Sequence, residues 1–99
     1  MNMEVVKKKI IPILARNNIE FAGLFGSYAR GSAKRKSDID MVVRFSTPKT
    51  LFDLAGVQQE LTKALGKKVD LGMEKSIHPY IRPNIAKDLK VLYGQRRYL

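Results

Sequence analysis

Two aspartates, Asp38 and Asp40, lie two residues apart in an apolar segment whose pattern is typical of a β-strand. Because side chains alternate between the two faces of a strand, both carboxylates project from the same face. Neighbouring like charges repel and aspartate is a poor strand former, so this arrangement lowers stability. A hard cation such as Mg²⁺, which prefers carboxylate oxygen, would offset that loss, and we expect a metal site here. The alternate positions are apolar and are expected to face a core: Ile39, Met41, Val43 and Phe45.

Gly26 and Ser27 stand where a predicted first strand, Ile19–Phe25, leads into a predicted short helix, 28–31. Glycine lets the backbone approach a ligand closely, and the first N–H groups of a helix attract anions. The Ser27 hydroxyl could cap that helix or donate to a phosphate oxygen. Metal-binding carboxylates opposite a phosphate-binding loop are the parts needed for phosphoryl or nucleotidyl transfer.

The two motifs together resemble a known family. The sequence contains Gly26-Ser27, then ten further residues, then Asp38-Ile39-Asp40. This arrangement is similar to the signature of the DNA polymerase beta-type nucleotidyltransferase superfamily. The longer string GSYARG…SDIDMVV resembles its smallest branch, the minimal nucleotidyltransferase (MNT) proteins, which are commonly paired with a HEPN-domain partner as an antitoxin. The resemblance covers nearly the whole chain and implies one minimal nucleotidyltransferase domain, 1–99.

The resemblance also implies a set of ligands and a reaction. Asp38 and Asp40 would hold one or two Mg²⁺ ions, and Gly26, Ser27 and Arg30 would bind a nucleoside triphosphate, with ATP expected. A hydroxyl, in the family picture a tyrosine on a HEPN-type toxin, would attack the α-phosphorus and pyrophosphate would leave. The chain would then be a protein adenylyltransferase that silences a ribonuclease-type toxin.

Asp70 is the third carboxylate on which this interpretation depends. It lies in a predicted third strand, 68–71. Two-metal transfer enzymes use a further carboxylate to hold metal and help to deprotonate the attacking hydroxyl. The resemblance implies that Asp70 joins Asp38 and Asp40 in these catalytic and metal-binding roles, and Glu74 is the competing candidate. Without metal the carboxylates repel one another, so the pKa of at least one should rise.

The hydrophobic pattern predicts alternating helices and strands. The resemblance implies that they form an α+β (α/β two-layer) fold, in which helices flank a small mixed sheet of three to four strands, as in a polymerase beta-like nucleotidyltransferase core. A first helix is expected near the N-terminus, where Pro12 should either kink it or delay its start. Another helix follows a capping pattern formed by Thr50 and Asp53 and stops at Gly66. Its predicted core stripe is Leu51, Leu54, Ala55, Gln58, Leu61 and Leu65.

The last quarter of the sequence is less informative. Pro79 is predicted to start, or Pro83 to interrupt, a last helical region that reaches Lys87 or Lys90. A short edge strand at 91–93 and a tail, 95–99, that could fray are expected to follow. His78, the only histidine, has no partner at ligand spacing and is assigned a structural or exposed role. The candidates for packing near this helix are Tyr80, Ile81, Ile85 and Leu89.

The formal net charge of +10, from 19 Lys+Arg against 9 Asp+Glu, favours an anionic partner such as a nucleotide, a nucleic acid or an acidic protein surface. The basic segment 34–36 is either a solvated turn or a contact for the triphosphate or the acceptor. The lack of cysteine fits a cytoplasmic protein without disulfides. We expect no membrane association, because no apolar run is long enough to cross a bilayer and the N-terminal segment does not fit a signal peptide.

Three alternative functions fit parts of the sequence. A non-catalytic antitoxin could bind its toxin and keep only the fold, although the three aspartates argue against this. A basic nucleic-acid-binding protein would fit the charge, but no helix-turn-helix or stacking-aromatic pattern supports it. A small-molecule nucleotidyltransferase acting on an antibiotic would belong to the same superfamily, but those enzymes are generally larger. No motif for base recognition is visible.

Overall fold

The computed structural model describes residues 2–97 and 99. None of the helices in this part of the chain is both long enough and apolar enough to cross a membrane. In chain order the elements are α1 (Met3–Arg16), β1 (Ile19–Phe25), α2 (Gly26–Arg30), β2 (Ile39–Phe45), α3 (Leu51–Leu65), β3 (Val69–Met73), a 3₁₀ turn (Glu74–Ser76), α4 (Arg82–Asp88) and β4 (Lys90–Tyr93).

The strands form one mixed sheet in the order β3-β2-β1-β4. β1 pairs antiparallel with both β2 and β4, while β2 and β3 run parallel. Since parallel neighbours need a crossover connection, α3 lies between β2 and β3 in the chain. The predicted α+β class and the mixed sheet are confirmed, and β4 is the edge strand that the sequence predicted.

One face of the sheet packs against α1 and α3 and forms the main core. Ile39, Met41 and Val43 of β2 are fully buried in it, as their alternation predicts. Asp40 and Arg44 therefore project from the opposite face of the sheet. The two helices contribute Val6, Ile10, Ile13 and Leu14 from α1, and Val57 and Leu61 from α3.

α1 begins at Met3 because Asn2 caps it, and the Asn2 Oδ1 accepts a hydrogen bond from the Glu4 backbone N–H at 2.9 Å. Pro12 lies within the helix on its exposed side. Its ring is therefore directed to solvent, and the helix continues to Arg16. A delayed start was one of the two effects that the sequence predicted for Pro12, and it does not occur, because α1 begins at Met3.

The predicted capping pattern at the start of α3 is confirmed. Thr50 Oγ1 accepts a hydrogen bond from the Asp53 N–H at 3.2 Å, and Asp53 Oδ2 accepts one from the Thr50 N–H at 2.8 Å. The predicted core stripe is wrong at Leu51 and Ala55, which are exposed, and omits Val57, which is buried. Two residues turn a helix by about 200°, so Ala55 and Val57 project to opposite sides and only one can face the core.

Several element boundaries differ from the prediction. β3 continues to Met73, two residues beyond the predicted end, because its parallel pairing with β2 extends that far. α2 starts at Gly26 rather than after Ser27, so the Gly-Ser pair lies in its first turn. α4 starts three residues after Pro79, and Pro83 lies in its first turn, where a backbone donor is not needed.

Arg44 joins three segments at the end of β2 that is remote from Asp40. Its guanidinium donates hydrogen bonds to Glu20 Oε1 at 3.0 Å, to Glu74 Oε1 at 2.9 Å and to the Gln95 carbonyl at 3.0 Å. Arg44 and Glu74 are both buried, so these bonds compensate in part for the loss of hydration of two charges, while Glu74 Oε2 has no hydrogen-bond partner among the described residues.

The C-terminal tail, for which fraying was predicted, is held at two points. Gln95 bonds to Arg44, and the Arg96 guanidinium donates to the carbonyl of Ala86 at 3.2 Å. Tyr98 lies outside the described residues.

Candidate active site

Asp40 and Asp70 are neighbours on adjacent strands. They occupy the same register position of the parallel β2–β3 pair. Side chains at one register position project from the same face of a sheet, which here is the face opposite the α1–α3 core. Asp38 immediately precedes β2, two residues before Asp40. Strand geometry therefore brings the three predicted carboxylates to the same part of the sheet.

The pKa of Asp40 is raised above its ordinary value. Burial is the largest cause, because loss of hydration disfavours the charged form. The charges of Asp70 and Asp38 raise this pKa further, while the Arg30 guanidinium lowers it. The predicted rise is confirmed, although burial contributes more to it than repulsion does.

The three carboxylates are near one another but do not converge on one point. Asp70 is exposed, and the Asp38 carboxylate lies 3.9 Å from the Lys68 ammonium group. Within residues 2–97 and 99, no group of three or more acidic or histidine side chains has the close arrangement of a complete metal site. The negatively charged carboxylates repel one another, so those whose side chains are exposed and free to rotate move apart. Their oxygen chemistry nevertheless suits Mg²⁺, which usually binds one or two carboxylates and keeps several waters.

Gly26 packs directly against the carboxylate of Asp40. The β1–β2 register pairs Phe25 with Asp40, so the residue that follows Phe25 lies beside this side chain. Gly26 has a φ of +75°, and a Cβ at this position would collide with Asp40 Oδ2. Both the backbone angle and the lack of space therefore require glycine here.

Ser27 lies in the first turn of α2 and lines the cleft beside Asp40. The helix ends at Arg30, and the next residue, Gly31, has a φ of +77° that is typical of the position after a helix C-terminus. The backbone N–H groups of Gly31 and Ser32 both donate to the Ser27 carbonyl. These two bonds fix the backbone at the end of the motif loop, which is defined here as residues 26–31.

Arg30 is held at the rim of the same cleft by an ion pair. Its Nη1 donates to Asp88 Oδ2 at 2.8 Å, and the Asp88 side chain is the more buried partner, 19% exposed against 52% for Arg30. The pair joins α2 to α4. The guanidinium remains close enough to Asp40 to influence its pKa.

These groups surround an open cleft of about 510 Å³, within the range of about 300–1,000 Å³ that is usual for small-molecule sites. The motif loop and Asp40 form one wall, and α4 forms the other. Asp70 lies beyond Asp40, on the strand farther from β1. The cleft is lined by Phe25, Gly26, Ser27, Arg30, Asp40, Ile81, Asn84, Ile85 and Asp88.

The family model of the polymerase beta nucleotidyltransferases matches residues 8–98. The chain belongs to this family. A relative from Methanocaldococcus jannaschii, provisionally named a protein adenylyltransferase, is 44% identical over 88 residues, which are 89% of this chain and 95% of that protein. As a member of the family, the chain is a nucleotidyltransferase, and the predicted enzyme class is confirmed.

Two solved structures contain chains with the same fold. One, a toxin-antitoxin complex with AMP-PNP, aligns with a TM-score of 0.79 and 30% identity, covering 91% of this chain and 74% of that chain. The other is a tri-AMPylated Shewanella oneidensis HEPN toxin in complex with an MNT antitoxin. It aligns with a TM-score of 0.75 and 26% identity, covering 95% of this chain and 74% of that chain.

Glu74, the competing candidate for the third carboxylate of this nucleotidyltransferase, is bonded elsewhere in the fold. The Glu74 side chain is fully buried, and its Oε1 accepts a hydrogen bond from Arg44 at 2.9 Å. It begins the 3₁₀ turn after β3, whereas Asp70 lies opposite Asp40 near the start of that strand. Glu74 is therefore part of the ionic cluster around Arg44.

Two further sequence interpretations concern residues outside the cleft. The basic segment 34–36 is exposed and does not line the cleft, which fits a solvated turn. His78 is exposed as well, and its Nδ1 accepts a hydrogen bond from the Tyr80 N–H at 3.2 Å. The structural or exposed role predicted for His78 is confirmed.

The α4 wall of the nucleotidyltransferase cleft was missed by the sequence analysis. Ile81, Asn84 and Asp88 recur at intervals of three and four residues, which is the period of one helical face. The prediction that Tyr80 and Ile81 pack in a core is wrong, because both are exposed. Arg30 and Asp88 are 58 positions apart, and no local pattern in the sequence indicates that they pair.

Proposed function

We propose that the chain is a Mg²⁺-dependent enzyme that transfers AMP from ATP to a hydroxyl group on a partner protein. The main supporting observation is the register pair of Asp40 and Asp70, with Gly26 packed against Asp40, in a chain of the nucleotidyltransferase family. Residues 1–99 act as one minimal nucleotidyltransferase domain in this proposal.

ATP binds in the cleft between the motif loop and α4, with its phosphates beside Gly26, Ser27 and Arg30. The absence of a side chain on Gly26 lets the substrate approach Asp40 closely. The Ser27 hydroxyl and the Arg30 guanidinium supply hydrogen-bond donors, and arginine binds phosphate oxygens well because its donors form a planar fork.

Asp38, Asp40 and Asp70 are the residues that would hold Mg²⁺. The raised pKa of Asp40 supports this assignment, because a cation would relieve both the burial of its charge and the repulsion from its neighbours. Bound Mg²⁺ would neutralise the negative charge that develops on the phosphoryl oxygens during transfer.

Asp70 receives the proton in the proposed reaction. Its exposed carboxylate is accessible to a hydroxyl group on an incoming protein surface. The acceptor oxygen forms a bond to the α-phosphorus, the bond from that phosphorus to the bridging oxygen breaks, and pyrophosphate leaves. Asp70 takes the hydroxyl proton as the new bond forms.

The proposed acceptor is a hydroxyl, most simply that of a tyrosine, on a HEPN-type toxin, and the chain is its antitoxin. Similarity to a complex of an AMPylated HEPN toxin with an MNT antitoxin supports this choice of partner. The provisional name of the Methanocaldococcus jannaschii relative supports adenylyl transfer as the reaction.

Label transfer tests the proposal. The purified chain is incubated with Mg²⁺, ATP labelled at the α-phosphate and the HEPN-type protein of the same organism. We expect label on the toxin with the wild-type chain and with Glu4→Gln, a control at an exposed acid of α1, but not with Asp38→Asn/Asp40→Asn. Mg²⁺-dependent ATP binding without any transfer would instead favour an antitoxin that acts by binding alone.

A further inference from the structure

The wall of the cleft opposite the motif loop is one face of α4. Ile81 immediately precedes the helix, and Asn84 and Asp88 follow at intervals of three and four residues, so the three side chains share one side. Ser27 and Asp40 line the same cleft from the motif side. The open cleft therefore lies between this face of α4 on one side and Ser27 and Asp40 on the other.

Two residues fix the position of this face. Ile85 is buried, at 7% exposure, and Asp88 accepts the hydrogen bond from Arg30. Core packing and one ion pair thus hold α4 beside α2. Ile81 and Asn84 remain exposed at the cleft, and no described residue forms a hydrogen bond with the Asn84 side-chain amide.

We propose that Ile81 and Asn84 form the nucleobase-binding surface of the cleft and that Asn84 favours adenine over guanine. This inference rests on the proposed function, which supplies the nucleotide. The asparagine side chain carries an acceptor oxygen beside an NH₂ donor. On its N6/N7 edge adenine presents an amino donor beside a ring-nitrogen acceptor, so the two groups match in a bidentate pair, whereas guanine presents two acceptors on that edge.

Ile81 contributes apolar contact to the same surface. It is 49% exposed at the cleft, and covering apolar side-chain area with the flat face of a base removes it from water. Every nucleobase has such a face, so this contact adds affinity without distinguishing the bases. Selectivity is therefore assigned to Asn84 and general affinity to Ile81.

Competition binding tests both assignments without requiring an acceptor protein. A fluorescent ATP analogue bound in the presence of Mg²⁺ is displaced by ATP, GTP, CTP or UTP. Asn84→Asp is nearly isosteric but has only acceptors, which suit the adjacent N–H donors of guanine. We expect the ratio of ATP to GTP affinity to fall roughly tenfold or more in Asn84→Asp and Asn84→Ala, as for loss of a bidentate base contact.

Two other variants separate selectivity from affinity. Ile81→Ala should weaken all four nucleotides alike, because it removes only the apolar contact. Gln59→Ala removes an exposed amide on α3, outside this cleft, and should change none of them.

The possible failures are distinguishable. An unchanged ATP-to-GTP ratio in both Asn84 variants, or equal binding of all four nucleotides by the wild type, would overturn the assignment of Asn84. If Asp40→Asn still abolishes Mg²⁺-dependent binding in that case, the proposed function survives. A wild-type chain that binds no nucleotide would overturn the proposed function, and the base-binding surface with it.

Discussion

Gly26 lies against the Asp40 carboxylate so closely that a Cβ on Gly26 would collide with it. The contact is set by the antiparallel β1–β2 register, which pairs Phe25 with Asp40. It joins the Gly-Ser half of the motif to the aspartate half, although ten residues separate Ser27 from Asp38 in the sequence. The phosphate-binding and metal-binding halves of the proposed site therefore form one continuous surface.

Gly26→Ala is expected to reduce stability by more than backbone strain alone. A left-handed backbone costs a residue with a Cβ about 1–2 kcal/mol, and here the new methyl group also meets Asp40. Gly31→Ala is a matched control, because Gly31 has a φ of +77° but nothing lies within 4 Å of a Cβ there. Denaturant unfolding should show the larger loss for Gly26→Ala, and only this variant should lose ATP binding. Equal losses with ATP binding intact would contradict the proposed contact.

Asp40→Asn should leave metal-free stability unchanged or raise it near neutral pH. Because folding raises the pKa of Asp40, the stability linked to this group is fully present below its unfolded-state pKa of 3.8 and is lost as pH rises through the folded-state pKa. Asparagine does not ionise and avoids that loss.

Thermal unfolding of the wild type and of Asp40→Asn in the presence of a metal chelator measures the effect of the substitution on metal-free stability. The Tm of the variant should exceed that of the wild type by more near neutral pH than at acidic pH below the raised folded-state pKa of Asp40, where the wild-type carboxyl is protonated. Adding Mg²⁺ should raise the Tm of the wild type only. A much lower metal-free Tm for the variant at neutral pH would indicate that Asp40 has a structural role instead.

Arg30→Gln is expected to weaken ATP binding by roughly tenfold, the usual effect of losing one charge-assisted hydrogen bond. Its ion pair with Asp88 is more than half exposed on the arginine side, so the stability change should be within about 1 kcal/mol. Arg16→Gln is the matched control, because Arg16 forms an exposed ion pair with Glu60 on the helical side of the fold. Isothermal titration with ATP and Mg²⁺ should separate the two variants. The same affinity for both would remove Arg30 from the site.

Glu74→Ala should destabilise the fold strongly without altering the site. The substitution leaves the buried Arg44 guanidinium without its fully buried partner, and breaking such a pair costs about 3–5 kcal/mol. Glu20 is another partner of Arg44, and its side chain is 38% exposed. Glu20→Ala should therefore reduce the stability of the fold by less than Glu74→Ala does. Both variants, measured where they are folded, should bind ATP like the wild type. Loss of Mg²⁺-dependent ATP binding in folded Glu74→Gln would revive Glu74 as the third carboxylate.

The sequence predicts most of the fold and one half of the cleft. The alternation from Ile39 to Phe45 gives both the strand and its buried face, and the Thr50–Asp53 pattern gives the start of α3, because these signals are local. The other half of the cleft depends on contacts between distant residues. Nothing near Arg30 indicates that Asp88, 58 positions later, would hold it.

The exposed residues on the α4 side of the cleft illustrate the same limit. An apolar side chain such as Ile81 is predicted to be buried unless a ligand or a partner is known to need it. Its exposure at the cleft becomes visible only when the position of α4 beside the motif loop is known.

The most direct test of nucleotidyl transfer compares two labels. The wild-type chain, Mg²⁺ and the HEPN-type acceptor are incubated in parallel with ATP labelled at the α-phosphate and with ATP labelled at the γ-phosphate. Transfer of AMP predicts that the acceptor gains the α-label only, while the γ-label appears in pyrophosphate, and that Asp70→Asn greatly slows the reaction. An acceptor that gains the γ-label, or α-label transfer that is unaffected by Asp38→Asn/Asp40→Asn, would contradict nucleotidyl transfer at this site.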